Sequence, residues 1–161
     1  MPNSSELEVG RLLHERGLKL VLAESCTGGL LGSRITDVPG SSEYFLGGIV
    51  AYAYEAKADL LNVSWGTLNT KGAVSRETVL EMERGVRQRM KAHIAVSVSG
   101  IAGPGGGTPE KPVGTTWIGL AVEEGEWAKM YQFSGDRAEN KISAVQAALN
   151  LLLYYLRGKQ I

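Results

Sequence analysis

The chain has 161 residues and little of what usually marks a reaction: one cysteine, Cys26, and two histidines, His14 and His93. A lone thiol closes no internal disulfide and suits a reducing compartment. Neither histidine has metal-ligand spacing beside it and no CxxC is present, so no metal site is expected. A serine, histidine and acid triad would need one of those two histidines, yet His14 falls among leucines and His93 heads an apolar run; both read as structural. No apolar stretch reaches the ~18 residues of a membrane span, and the first twenty residues lack the basic, apolar, small-residue order of a secretory signal. Net charge is missing too: 17 basic residues cancel 17 acidic ones. They are spread along the chain, so nucleic acid and anionic membranes have no bulk attraction for it. A cytoplasmic protein that binds neither is the expectation.

What the chain has in abundance is glycine, 21 residues, clustered where hydroxyls and charges cluster. The length suits one domain with a proper core, taken as 1–161. Ser5 and Glu8 open a helix over 5–17, with Leu7, Leu12 and Leu13 on its face and Gly17 as its stop. Residues 18–23 are β-rich, and 28–36 resume helical spacing through Leu30, Leu31 and Ile35. A second strand at 47–53 and a short helix at 55–62 repeat the plan. Ser75 and Thr78 precede a helix carrying Val79, Met82, Val86 and Met90, which leads into a strand at 93–99. Residues 100–114 are too rich in Gly and Pro for a regular element and form a long loop. Two strands then flank Gly125 as a hairpin, and a helix from about Arg137 to Arg157 presents a broad apolar face. These elements predict an α/β fold: a single-domain layered sandwich, its mixed β-sheet covered by helices on both faces.

The stretch 22–34, LAESCTGGLLGSR, places Glu24, Ser25, Cys26 and Thr27 in one strand-to-helix turn. Such a turn aims the Ser25 hydroxyl outward, and the backbone N–H groups of Thr27, Gly28 and Gly29 are orphaned at the helix start, where they can hold an oxyanion. The plainer alternative is that Ser25 or Thr27 caps the helix. Cys26 is a rival nucleophile and, more simply, a small buried hydrophobe. With histidine set aside, lysine is the substitute base. If the strand at 47–53 runs parallel beside the first, Tyr52 and Lys57 emerge at the same sheet edge as Ser25. Lys57 must then be partly neutral, which burial favours; otherwise it is a solvated lysine paired with Glu55 or Asp59. In the glycine loop, Gly103 to Gly107 can turn several N–H groups toward one anion. The loop lacks the GK[ST] ending of a Walker loop. Lys111 and Arg137 can add charge for a phosphate or remain solvated surface charges.

In order along the chain, AESCTGG, GGIVAY with EAK, GAVS, SGIAGPGGG, KPVGT and FSGDR are similar to the motifs of the CinA C-terminal domain family. Over residues 5–157 the chain resembles its stand-alone nicotinamide-nucleotide amidohydrolases. The resemblance implies deamidation of nicotinamide mononucleotide to nicotinate mononucleotide and ammonia, without metal or organic cofactor, by a homo-oligomer. It assigns catalytic positions to Ser25, Tyr52 and Lys57. It lines the pocket with Ala73, Val74 and Ser75 and with Ser99, Gly100, Gly103, Gly105 and Gly106. Departures occur at Ala53, Tyr54 and Lys71, where relatives often carry Ser, Asn and His, and the basic residue common after FSGDR is Lys141; these bear on substrate fit.

Overall fold

The computed structural model describes residues 4–161; residues 1–3 of the expected domain lie outside that range. In chain order the elements are α1 (Ser4–Arg16), β1 (Leu20–Glu24), α2 (Leu30–Thr36), a 3-10 turn (Ser41–Glu43), β2 (Phe45–Val50), α3 (Tyr54–Leu61), α4 (Trp65–Lys71), α5 (Arg76–Met90), β3 (Ile94–Gly100), β4 (Thr115–Val122), β5 (Gly125–Gln132) and α6 (Arg137–Leu156). The five strands lie in the order β2-β1-β3-β4-β5. β1 is parallel to both neighbours, while β3, β4 and β5 pair antiparallel. The sheet is therefore mixed.

Alternation along the strands sorts side chains into two layers. Leu20 and Leu22 of β1, Ile94, Val96 and Val98 of β3, and Ile118 and Leu120 of β4 pack against α1, α2 and α6. Val21 and Ala23, Ala95 and Ala121 face the other way, toward α3, α4 and α5. The second face is lined by small residues. That lets α5 lie close to the strands, with Val79, Met82 and Val86 fully buried.

From β1 the chain crosses to β2 on one side and later returns to β3 on the other. The carboxyl end of β1 is thus a topological switch point, the place where open α/β sheets leave a crevice for ligands. Ser25 follows β1 directly.

Three sequence expectations shift. The second strand covers 45–50 instead of 47–53, because Ala51 to Ala53 leave the sheet as the connection into α3. The hairpin turns at Glu123 and Glu124, and Gly125 already opens β5, paired with Val122. The helix α4, built from WGTLNTK, has no counterpart among the expected elements. Its weak helix formers are held by the Ser64 side chain, which accepts the Thr67 N–H at its start, and by burial of Leu68.

Candidate active site

Parity along β1 decides which way each side chain of the crowded turn points. Glu24 continues the Leu20 and Leu22 side, and Ser25 continues the Val21 and Ala23 side. The Ser25 N–H binds the Val98 carbonyl at 2.9 Å and the Ala51 N–H binds the Glu24 carbonyl at 2.9 Å, so sheet pairing extends just to the nucleophile candidate. Lys57, in the first half of α3, reaches down onto it. Its Nζ lies 2.8 Å from Ser25 Oγ, 2.9 Å from the Ala51 carbonyl and 2.8 Å from the Tyr52 carbonyl.

Lys57 is 0% exposed. None of its three polar neighbours carries a charge, so burial penalises the ammonium and lowers its pKa from 10.5 to about 8; proximity to Cys26 acts weakly the other way. The partner set suits both protonation states. A neutral amine has two N–H donors and one lone pair. Two carbonyls can only accept, so they take the two donors, and the lone pair is left for the Ser25 hydroxyl proton. Protonated, the amine has three donors for the same three oxygens. The site can pass one proton between Oγ and Nζ without leaving a polar group unmatched.

On the other side of the sheet, the Glu24 carboxylate is buried and satisfied. It accepts from Thr27 Oγ1 at 2.6 Å, from the Leu31 N–H at 2.9 Å and from the Gly32 N–H at 3.0 Å. Glu24 therefore supplies the anion that the start of α2 attracts, and neither Ser25 nor Thr27 caps it in the ordinary way. The signal for this role in the sequence is an acidic residue in the buried phase of β1, seven positions before the Leu31 N–H that it binds. Gly28 and Gly29 adopt φ of 60° and 103°, the left-handed region that favours glycine. The expected trio of free donors is reduced, because the Gly28 N–H is spent on the Ser25 carbonyl at 3.1 Å, closing a tight turn. The N–H groups of Thr27 and Gly29 have no partner among the described residues. Cys26 is buried, and desolvation pushes its thiol up to about 11, which leaves it unreactive at neutral pH.

The structure brings only some of the other candidates to this point. Tyr52 holds Lys57 through its backbone carbonyl, whereas its phenol is 60% exposed and accepts from Arg137 Nη2 at 3.0 Å. β2 ends at Val50, so the backbone that follows turns the Ala51 and Tyr52 carbonyls to the lysine, and Tyr52 meets the amine through its main chain. Arg137 also donates to the Gly103 carbonyl at 2.7 Å, tying the glycine loop to the start of α6. Two open hollows meet at Arg137: one of about 420 Å³ with Leu30, Lys141 and Ile142, and one of about 540 Å³ with Gly103, Pro104 and Val113.

Ser75 is the cap of α5, accepting the Thr78 N–H at 3.2 Å and donating within the same turn. Ser99 donates to the Ala73 carbonyl at 2.8 Å, which fixes the 72–75 turn beside β3, so both hydroxyls spend their proton within the fold. Lys111 donates to the Lys71 carbonyl at 2.6 Å, so it latches the glycine loop onto the end of α4 instead of projecting as a free cation. Gly105 and the left-handed Gly106 lie on the exposed part of that loop, whereas Gly100 ends β3, where a Cβ would come within 2.5 Å of Thr116 Oγ1. The histidines stay out of the site: His14 pairs with Glu43 at 2.9 Å, and His93 Nδ1 accepts the Lys19 N–H at 2.9 Å. Among the described residues no group of three or more acidic, His or Cys side chains is arranged to hold a metal ion, and no helix is long and apolar enough to cross a membrane.

Comparison with known proteins agrees with this architecture. The family model of the CinA C-terminal domain matches residues 3–156. A CinA-like protein of Chlorobaculum tepidum is 52% identical over 154 residues, which are 92% of this chain and 36% of that protein. The chain thus spans about a third of the length of the curated relatives it matches. The crystal structure of competence damage-inducible protein A from Klebsiella pneumoniae superposes with a TM-score of 0.93 at 36% identity, covering 97% of both chains. Competence/damage inducible protein CihA from Agrobacterium tumefaciens gives 0.91 at 39% identity, covering 98% of both. On the sheet order, the turn after β1 and a family match over nearly its whole length, the chain belongs to the CinA C-terminal domain family.

Proposed function

We propose that the protein is an amidohydrolase that deamidates nicotinamide mononucleotide through Ser25 and Lys57. One observation carries the chemistry: a fully buried lysine whose Nζ lies 2.8 Å from a serine hydroxyl, its other partners among the described residues being two carbonyls. The substrate rests on the likeness of the six motifs to nicotinamide-nucleotide amidohydrolases.

In this reading the neutral Lys57 amine accepts the Ser25 proton as Oγ bonds to the carboxamide carbon. The carbonyl oxygen becomes an oxyanion held by the Thr27 and Gly29 N–H groups, a contribution of about 3 kcal/mol per donor in comparable sites. The Lys57 ammonium then returns the proton to the departing nitrogen, the C–N bond breaks and ammonia leaves. Water, deprotonated by the same amine, attacks the acyl carbon; the Lys57 ammonium gives that proton to Ser25 Oγ as the C–O bond breaks, releasing nicotinate mononucleotide and restoring the hydroxyl and the neutral amine. The Ala51 and Tyr52 carbonyls hold the amine in place throughout. Arg137 supplies positive charge at the mouth for the nucleotide phosphate. Assembly as a homo-oligomer belongs to the same reading and is checked by light scattering.

Ammonia release from nicotinamide mononucleotide by wild type, Ser25→Ala and Lys57→Ala tests the proposal: activity in the wild type alone is expected, and undiminished release by Ser25→Ala removes the nucleophile. A second reading, a nucleotide-binding module without turnover, has one observation in its favour, the low exposure of Ser25, 7%. Calorimetry separates the two, since tight binding without ammonia supports the module.

A further inference from the structure

Two glycines on the Lys57 side of the sheet mark places where one element rests directly on another. On α5, a Cβ at Gly85 would fall 1.8 Å from the Leu61 carbonyl oxygen, 2.7 Å from its carbon and 3.1 Å from its Cα. These are backbone atoms of the last turn of α3, so the methyl of an alanine could be admitted only if α3 moved. On β4, a Cβ at Gly119 would fall 1.7 Å from Glu83 Oε2 and 2.4 Å from Ser97 Oγ. The Glu83 carboxyl of α5 therefore lies flat on the bare strand. Ser97 Oγ donates its one proton to the Val79 carbonyl at 2.9 Å and lies 3.1 Å from Glu83 Oε2. Glu83 is 0% exposed, and its other oxygen has no hydrogen-bond partner among the described residues. The proposed reaction uses neither Glu83 nor Gly85.

These contacts form a closed path back to the nucleophile. Ser25 continues β1, which pairs with β3, and β3 carries Ser97. Ser97 and Gly119 set the depth of Glu83 and so of α5; Gly85 sets the height of α3 on α5. The last link is short, because the Lys57 carbonyl accepts the N–H groups of both Asn62 and Val63 in the turn that ends α3. Any displacement of Leu61 is passed straight to residue 57.

We propose that α5 is a spacer between the sheet and α3, and that Gly85 is a positioning residue that holds the Lys57 amine on the Ser25 hydroxyl. The inference rests on the amidase reading for its kinetic consequence and on geometry alone for the placement of the amine.

The test is Gly85→Ala, a change that raises intrinsic helix propensity, so a loss of function comes from the contact with α3. Ammonia release is expected to fall roughly 100-fold in kcat, as misplacement by about 1 Å does elsewhere, with KM little changed. The 13Cε titration midpoint of Lys57 is expected to move up by about one pH unit as the amine regains water. Gly10→Ala is the control: its Cβ would meet Tyr44 Oη at 2.4 Å on the other face of the sheet, so it should cost stability and leave the Lys57 midpoint alone. Wild-type kcat and midpoint in Gly85→Ala overturn the proposal, and so does an equal midpoint shift in Gly10→Ala. If Gly85→Ala does not fold, Gly119→Ala lifts α5 from the opposite side and should shift the midpoint in the same direction; an unchanged midpoint there overturns it as well. Should Ser25→Ala keep full activity, the amidase reading falls, while the titration still decides whether α5 places the amine.

Discussion

Glu24 and Ser25 are consecutive, both buried, and opposite in purpose. The Glu24 carboxylate meets three donors, a hydroxyl and two helix N–H groups. It is a compensated charge that ties β1 to α2. Across the sheet, Ser25 meets an amine whose other partners are neutral carbonyls. A charge there is left uncompensated, and burial pulls the amine's pKa down to about 8, within reach of neutral pH. The difference teaches that burial by itself does not make a site reactive. A buried ionisable group with matched partners is structural, and one whose partners suit both protonation states is poised to move a proton.

Substitutions on the two sides should separate accordingly. The largest effect is expected for Lys57→Ala and Ser25→Ala, which should each lower kcat by roughly 1,000-fold or more, with no additional loss in the double variant because the pair acts as one unit; steady-state ammonia release measures it. Glu24→Ala should instead cost about 3 kcal/mol of stability, since it strands the donors at the start of α2. Denaturant melts would show that loss while the pH dependence of activity stays in place. If the pH dependence moves as well, the two faces are not independent.

Glu83 sharpens the contrast by pH. Burial raises its carboxyl pKa from 4.5 to about 9; the hydroxyl of Ser97 and the charges of Arg84 and Arg76 oppose this, and Glu126 of β5 adds to it. Because the folded state keeps a proton that the unfolded chain releases, the stability it contributes is fully present below pH 4.5 and is lost as pH rises to about 9. The slope has a limit of about 1.4 kcal/mol per pH unit for one group. Glu83→Gln should flatten that fall in melts taken across the window; an unchanged slope would place the titration elsewhere. The smallest effect is expected for Tyr52→Phe. Its phenol touches Arg137 and its carbonyl holds Lys57, so KM should rise a few-fold, with kcat nearly unchanged.

The meeting of Ser25 and Lys57 was legible because strand, turn and helix follow from periodicity, and a parallel neighbour puts both side chains at one edge. What stayed hidden has backbone for a partner. The carbonyls of Ala51 and Tyr52, the Lys71 carbonyl under Lys111 and the Ala73 carbonyl under Ser99 leave no mark in side-chain identity. The same is true of the Leu31 and Gly32 N–H groups that claim Glu24. α4 was missed because Gly66, Thr67, Asn69 and Thr70 make a poor helix on propensity and are held by tertiary contacts. Glu83 was overlooked in a helix full of charge, although it falls four residues after Val79 and three before Val86, on the stripe that faces the core.

The most direct test of the central claim is the titration of the Lys57 amine itself, followed by 13Cε chemical shift in lysine-labelled protein. A midpoint near 8, with activity rising through the same pH, is the expected result, because only the neutral amine can take the Ser25 proton. A midpoint at the ordinary 10.5, or activity indifferent to pH across that range, would contradict it.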